Sequence, residues 1–297
     1  MSLLVEHPGA CTTVQDLGRP GHRGVGVPIG GAFDLDAHGL ANALVGNPPS
    51  AASLEMTLLG GSYLALDDTA IALAGAPMAA SVEGRPLAIP SSTTLRAGER
   101  LRLGGASSGA RTYLAVAWGV FGPTVLGSRS REVALRGGDR LDARRSSTST
   151  RRPAVVALAY PRAITLRYVD GLDAAPDGWD RGPWRVDPTS GRMGVRLEGT
   201  PIEMTTDAER LSVPTALGAI QVAGGRPIVL GPACGTLGGY PVVGFVVSAD
   251  VPLLAQAGPG VEVTLRRVGW DEARGADRAS REARRRVALV VGAAARG

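Results

Sequence analysis

The stretch from Thr12 to Asn47 holds the densest set of residues able to do chemistry. Gly18, Gly21, Gly24, Gly26, Gly30 and Gly31 are interleaved there with Gln15, Asp16, Arg19, His22 and Asp34. Glycines at that density let a backbone turn sharply and approach a ligand or another segment closely. An amide, a guanidinium and backbone N–H groups are the donors that hold a planar carbonyl and stabilise charge developing on its oxygen. The loop leads into Asp34-Leu-Asp-Ala-His-Gly-Leu-Ala-Asn-Ala-Leu, where Leu40, Ala43 and Leu44 fall on one helical face. Asp34 reads as the N-cap and Asn47-Pro48 as the stop. A polar loop ending at a helix N-terminus receives anionic or carbonyl groups through N–H donors. The other reading open to this stretch is a tight corner in a β-rich domain.

The elements around it read as short strands. The chain has 297 residues, longer than a typical single domain, and its 42 glycines, 21 prolines and 4% aromatic content favour strands joined by turns. Leu3–Val5 and Cys11–Val14 flank the turn His7-Pro8-Gly9, and three more runs follow between Ala52 and Ala74. In that region Glu55 is a charge facing inward or across a sheet, suited to pairing with an arginine. Arg111 to Val120 reads as a buried strand with Leu114, Val116 and Trp118 on one face. RRSSTSTRRP, from Arg144 to Pro153, carries nothing apolar and reads as the linker, dividing the chain into 1–150 and 151–297. Beyond it strands are expected over Ala154–Leu158, Ile164–Val169, Ala219–Val222, Pro227–Leu230 and Tyr240–Val247. A short helix begins near Asp250. The order of glutamine, glycine turn, glycine loop, aspartate and short helix thus occurs twice, a weak trace of internal duplication. Asp271–Arg286 reads as a solvated helix before the apolar end Val287–Val291.

Composition excludes several chemistries. All 32 basic residues are arginine, so there is no Schiff-base lysine, no P-loop lysine and no lysine to carry biotin. Net charge is +5, but the arginine runs lack the interleaved aromatic residues that stack bases, which argues against nucleic acid. Two cysteines, Cys11 and Cys234, are too few for a disulfide framework or a structural zinc site. The N-terminus has no charged region ahead of a long apolar core, and no apolar run reaches the length of a membrane span. On these grounds the chain is expected to be cytoplasmic.

Six collinear blocks carry a family resemblance: TVQDLGRPG, GAFDLDAHGLANALVGNP, RTYLAVAWG…VLGSRS, GRMGVRLEG, GAIQV…GRPIVL and TLGGYPVV…SADVPLLAQ…PG. Together they resemble the biotin-dependent carboxyltransferase family that includes allophanate hydrolase subunit 2 and the KipA-type C subunit of 5-oxoprolinase. The resemblance runs from about residue 3 to about residue 268. It implies a mainly β protein of two cyclophilin-like β-barrel subdomains with a few short helices, and the arginine- and alanine-rich end adds a C-terminal helical tail to the second. It also implies a KipI-type partner (allophanate hydrolase subunit 1). The expected activity is that of a subunit in an ATP-dependent 5-oxoprolinase or allophanate hydrolase-like, carboxyltransferase-type enzyme acting on a small amide, urea-like or lactam substrate. No cofactor is expected on this chain alone; ATP or carboxybiotin would come through partner subunits.

Matched to the family pattern, the candidate catalytic residues are Gln15, Arg19, Asp34, Thr236 and Tyr240. The candidate substrate-binding residues are Gly30, Gly31, Ser128, Arg129, Gly238 and Gly239, and no metal ligands are expected. Structural roles stay open beside these: loop hydrogen bonding for Gln15 and Arg19, capping for Asp34, turn formation for Gly238 and Gly239, packing for Tyr240. His22 could serve as a general base, although a lone loop histidine usually does not, and Cys234 has no histidine nearby in sequence to make it a thiol nucleophile. The sequence also departs from the family. A common PPSGAMD becomes PIGGAFD with Gly30 for serine, and a TGAD becomes Ala74-Gly-Ala-Pro77. In ADxQTTGGYPK, Ala233, Gly235, Leu237 and Val242 replace polar residues. The glycine-rich insertion after GSRS is missing. These losses keep a second reading in play, a catalytically degenerate regulatory or scaffolding subunit that binds and antagonises a KipI-like partner.

Overall fold

The computed structural model describes residues 3–153, 160–204 and 211–296; the strand expected over 154–158 lies outside them. The protein is mainly β, with three α-helices among the described residues. Its chain divides into two compact units. The first comprises Met1–Arg19, Gly30–Tyr160 and Ala283–Gly297, the second Pro20–Ile29 and Pro161–Glu282.

In the first unit the strands are β1 (Leu3–His7), β2 (Cys11–Gln15), β3 (Ser53–Thr57), β4 (Ser62–Ala65), β5 (Thr69–Gly75), β6 (Met78–Val82), β7 (Arg85–Leu87), β8 (Ser91–Leu95), β9 (Arg100–Ala106), β10 (Arg111–Val116) and β11 (Arg140–Leu141). They form two sheets, in the orders β11-β1-β4-β9-β6-β7 and β2-β3-β10-β5-β8. Alternation along the central strands explains the layering. Ile71, Leu73, Leu114 and Val116 join Leu3, Val5, Tyr63 and Leu101 in the core between the sheets. The intervening Ala72, Ala74, Tyr113 and Ala115 face α1 (Leu35–Leu44), packing against Ala37, Leu40, Ala41 and Leu44. Three alanines on that face let the helix lie close to the sheet.

Trp118 does not continue the inward face of β10. The strand ends at Val116, and Trp118 takes a left-handed backbone conformation, φ 71°, with 63% of its surface exposed. Asn47 fixes this corner. Its side chain donates to the Val116 carbonyl and accepts from the Trp118 N–H, tying the end of α1 to the end of β10. The hydroxyl-rich stretch 144–153 does not hang free, because its backbone and side chains pair with β8. Thr148 N donates to Thr94 Oγ1, Thr94 Oγ1 donates to the Thr148 carbonyl, and Ser92 bridges to Arg151.

In the second unit, β12 (Ala163–Asp170), β13 (Trp184–Val186), β14 (Gly194–Glu198), β16 (Ala219–Ala223), β17 (Arg226–Leu230), β19 (Val242–Val246) and β20 (Glu262–Arg267) close a barrel. β15 (Val213–Pro214) and β18 (Leu237–Gly238) form a separate two-stranded ladder. Ile164, Leu166, Tyr168, Val263 and Leu265 alternate with exposed positions and fill the barrel. α2 (Val251–Gln256) starts with Pro252 in its first turn. α3 (Trp270–Arg296) is a single helix in which the basic stretch and the apolar end are continuous.

Candidate functional site

The polar centre of the first unit is Asp16, at the end of β2. Its carboxylate accepts from Ser128 Oγ at 2.6 Å, Ser130 Oγ at 2.6 Å, Arg129 N at 2.6 Å and Gly18 N at 2.8 Å. Burial alone would raise its pKa, but these hydrogen bonds from Ser128, Ser130, Arg129 and Gly18 outweigh it and hold the group below the ordinary carboxylate value. Asp16 therefore works as an ionised clamp. It joins the QDLG turn to the SRS turn, and its own carbonyl accepts from Ala32 N at 2.8 Å, which brings in the glycine loop.

Of the residues expected here, Gln15, Arg19, Gly30, Gly31, Ser128 and Arg129 gather around this clamp. Gln15 is fully buried, and its Nε2 donates to Thr13 Oγ1 at 3.0 Å and to the Arg131 carbonyl at 2.8 Å. Because a carbonyl only accepts, the amide orientation is set, and Oε1 is left buried with no donor among the described residues. Arg129 likewise has a buried Nε without an acceptor. Arg19 spends its guanidinium on backbone: Nη2 donates to the Ser130 carbonyl at 2.5 Å and Nε to the Val125 carbonyl at 3.3 Å. Gly31 has φ 85°, and a Cβ there would lie 2.8 Å from Gly18 N and from Leu17 C, so the close approach requires glycine.

Asp34 belongs to a second, adjoining network. It is the N-cap of α1, its Oδ1 accepting from Asp36 N at 3.0 Å and Ala37 N at 2.9 Å. Those two N–H donors, expected to be open to an anionic ligand, are taken by the cap itself. Behind it, Tyr113 OH accepts from Asp34 N at 2.8 Å and donates to Glu55 Oε2 at 2.7 Å, and Phe33 N donates to the same oxygen. Glu55 and Arg111 form the buried ion pair, 3.5 Å apart, that the lone inward charge called for. Burial pushes the Tyr113 hydroxyl far up, so it stays protonated. His38 is also fully buried. The Pro49 carbonyl only accepts, so Nε2 carries the proton at 2.9 Å and Nδ1 accepts from Ser53 Oγ at 2.8 Å. Burial lowers its pKa and keeps the ring neutral.

The remaining expected residues lie in the second unit. Gly238 pairs with Val213, and a Cβ on it would meet Gln221 Nε2 at 2.6 Å. The Thr236 carbonyl accepts from Thr215 N, while Gly239 and Tyr240 are exposed. Arg23, which no local sequence pattern marks out, laces this loop, donating to the Thr215 carbonyl at 2.8 Å, Thr215 Oγ1 at 3.0 Å and the Gly235 carbonyl at 3.1 Å. Cys234 is buried, with Arg23 Nη1 4.0 Å from its sulfur. Asp250 starts the second short helix as expected but does not repeat the role of Asp34. It makes no side-chain cap, and its carboxylate instead binds Arg167 through N, Nε and Nη2.

Among the described residues, no group of three or more His, Cys, Asp or Glu could hold a metal ion, and no helix is long and apolar enough to cross a membrane. The family model for the carboxyltransferase domain, subdomain A and B, matches residues 25–267. The chain is 35% identical to the C subunit of 5-oxoprolinase from Escherichia coli (strain K12) over 91% of its own length and 93% of that protein. It is 29% identical to the urea amidolyase of Lachancea kluyveri over 91% of this chain and 17% of that one. The crystal structure of the Kluyveromyces lactis urea carboxylase superposes with a TM-score of 0.85 at 25% identity, covering 96% of this chain and 29% of that one. The chain thus spans nearly all of one relative and a minor part of the longer two. With most of its length matched by the family model, the chain belongs to the carboxyltransferase family, as a domain of subdomains A and B.

Proposed function

We propose that this chain is one subunit of a heteromeric enzyme of 5-oxoprolinase or urea carboxylase type. In this reading it acts with a KipI-type companion (allophanate hydrolase subunit 1) on a small amide, urea-like or lactam substrate. The observation that carries the reading is the pair of unsatisfied buried atoms on the Asp16 cluster, Gln15 Oε1 and Arg129 Nε. Buried polar atoms are nearly always paired, and although several others among the described residues are not, these two share one cluster, which supports a missing partner there. One is an acceptor and the other a donor, the complement of the N–H and C=O that an amide or lactam presents. The name of the Escherichia coli relative, a lettered subunit, supports a companion chain. So do the exposed apolar residues on the same loops, Leu17, Val125 and Leu126, the last at φ 51°. With no lysine, this chain does not fit as the carrier of biotin or as a P-loop for ATP, so a partner would hold either group.

A second reading, a non-catalytic regulatory subunit, is favoured by the commitments of Arg19 to backbone carbonyls and of Asp34 to its helix cap. Co-expression with the KipI-type chain and assay of ATP-dependent 5-oxoproline opening separates the two. Turnover reduced in Gln15→Ala and in Arg129→Ala, with complex formation intact, supports the enzyme reading. Complex formation without turnover in the unaltered protein supports the regulatory one.

A further inference from the structure

In the second unit, the first turns of α3 face β12 and β19 across an open cavity of about 420 Å³. The helix seats on the barrel through small residues, Ala273 and Ala276, against Val169 and Val247. Beside that seat the walls are larger and apolar: Leu217, Phe245, Val247 and Trp270. Trp270 is 63% exposed and Leu217 36%, so apolar surface stays in contact with water on both sides of the opening. The volume lies within the range of small-molecule sites.

Two charged side chains complete the lining, Arg274 and Asp277. They are not equivalent. Asp277 is paired with Arg281 at 2.7 Å, so its charge is already met. Arg274 makes no hydrogen bond or ion pair among the described residues. The cavity therefore combines an apolar floor with one uncommitted guanidinium, and an apolar wall raises the strength of a charge-assisted hydrogen bond formed beside it.

We propose that this cavity is a binding site for a small apolar carboxylate, with the hydrocarbon body against Trp270, Phe245 and Leu217 and the carboxylate on Arg274. The lining shares no residue with the Asp16 cluster, and the inference does not depend on the enzymatic reading. A chain of about eight carbons suits its size.

The test is calorimetry and tryptophan fluorescence of the full chain with octanoate, octanol and octylamine as probes. Octanoate is expected to bind with a change in fluorescence, and octanol and octylamine at least about tenfold more weakly. Arg274→Gln is expected to weaken octanoate by about tenfold and leave octanol unchanged. Trp270→Ala should weaken octanoate and remove most of the optical response. Both residues are exposed, so circular dichroism of the variants should match the unaltered protein. Equal binding of octanol and octanoate, octanoate affinity unaffected by Arg274→Gln, or no binding of octanoate would each overturn the proposal.

Discussion

Ser128 Oγ donates to Asp16 Oδ1 at 2.6 Å across 112 positions of sequence. That single contact, with its neighbours from Ser130 and Arg129, sets the shape of the candidate site. The carboxylate is satisfied in its ionised form, so the loop around it is held by charge-assisted bonds rather than by apolar packing.

Asp16→Asn is expected to destabilise the protein by about 2–3 kcal/mol, because the amide turns an NH₂ toward donors that need an acceptor. Urea denaturation reads the loss directly. Ser128→Ala should cost less, about 1–2 kcal/mol, since the carboxylate keeps its other donors. An unchanged midpoint in Asp16→Asn would show that the clamp contributes nothing to the fold.

The neutral, buried state of His38 makes stability depend on pH with a definite sign. Its folded pKa is below the unfolded value of 6.5, so at lower pH the unfolded chain takes up a proton that the folded chain refuses. The contribution is therefore full above pH 6.5 and declines as pH falls from there toward the folded pKa. Denaturation midpoints measured across that window should fall in the unaltered protein. They should fall less in His38→Gln, after allowance for its lower starting stability.

The two neighbouring glycines of the loop should respond differently to substitution. Gly31→Ala places a methyl 2.8 Å from backbone atoms at a positive φ and should cost more than about 2 kcal/mol or prevent folding. At Gly30 a Cβ would find its nearest neighbour, Arg19 Nη1, at 3.5 Å, so only the left-handed backbone is penalised, by about 1–2 kcal/mol. Gly30→Ser, which restores the residue common in the family pattern, should fold. Thermal midpoints of the two variants check the contrast.

Tyr113→Phe removes a hydroxyl that both accepts from Asp34 N and donates to Glu55, taking one hydrogen bond from each, while Phe33 N still donates to Glu55 Oε2. A loss of about 2–4 kcal/mol is expected, with the α1 amides exchanging faster by hydrogen-exchange mass spectrometry. Unaltered protection of α1 would show that the helix start does not rely on this network.

Local features are legible in the sequence and long-range ones are not. Asp34 reads as a cap because capping depends on the next three residues, and Glu55 as an ion-pair partner because a charge inside an apolar strand needs one. Buried strands such as β10 follow from unbroken apolar runs. Asp16 does not stand out as the hub, because one acid in a glycine-rich turn has no local signature and its hydroxyl donors lie more than a hundred residues away. Periodicity carries Trp118 inside, whereas the backbone turns two residues earlier. The pairing of Thr148 with Thr94 is hidden for a related reason. A stretch of serine, threonine and arginine looks like a tether when its hydroxyls have no visible acceptor, yet an exposed strand edge supplies one.

The distance between the halves of the clamp also orders events during synthesis. All ten strands from β1 to β10 are complete at Val116, before Ser128 has been translated. Both sheets have nearly all their strands in the nascent chain before the Ser128, Arg129 and Ser130 donors of Asp16 exist. Closure of that loop waits for the 128–131 turn, whose Arg131 N–H then docks on the Val14 carbonyl. The strands of the scaffold thus precede in the chain the turn that closes the clamp, and a fragment ending near residue 120 would lack the Ser128, Arg129 and Ser130 donors to Asp16.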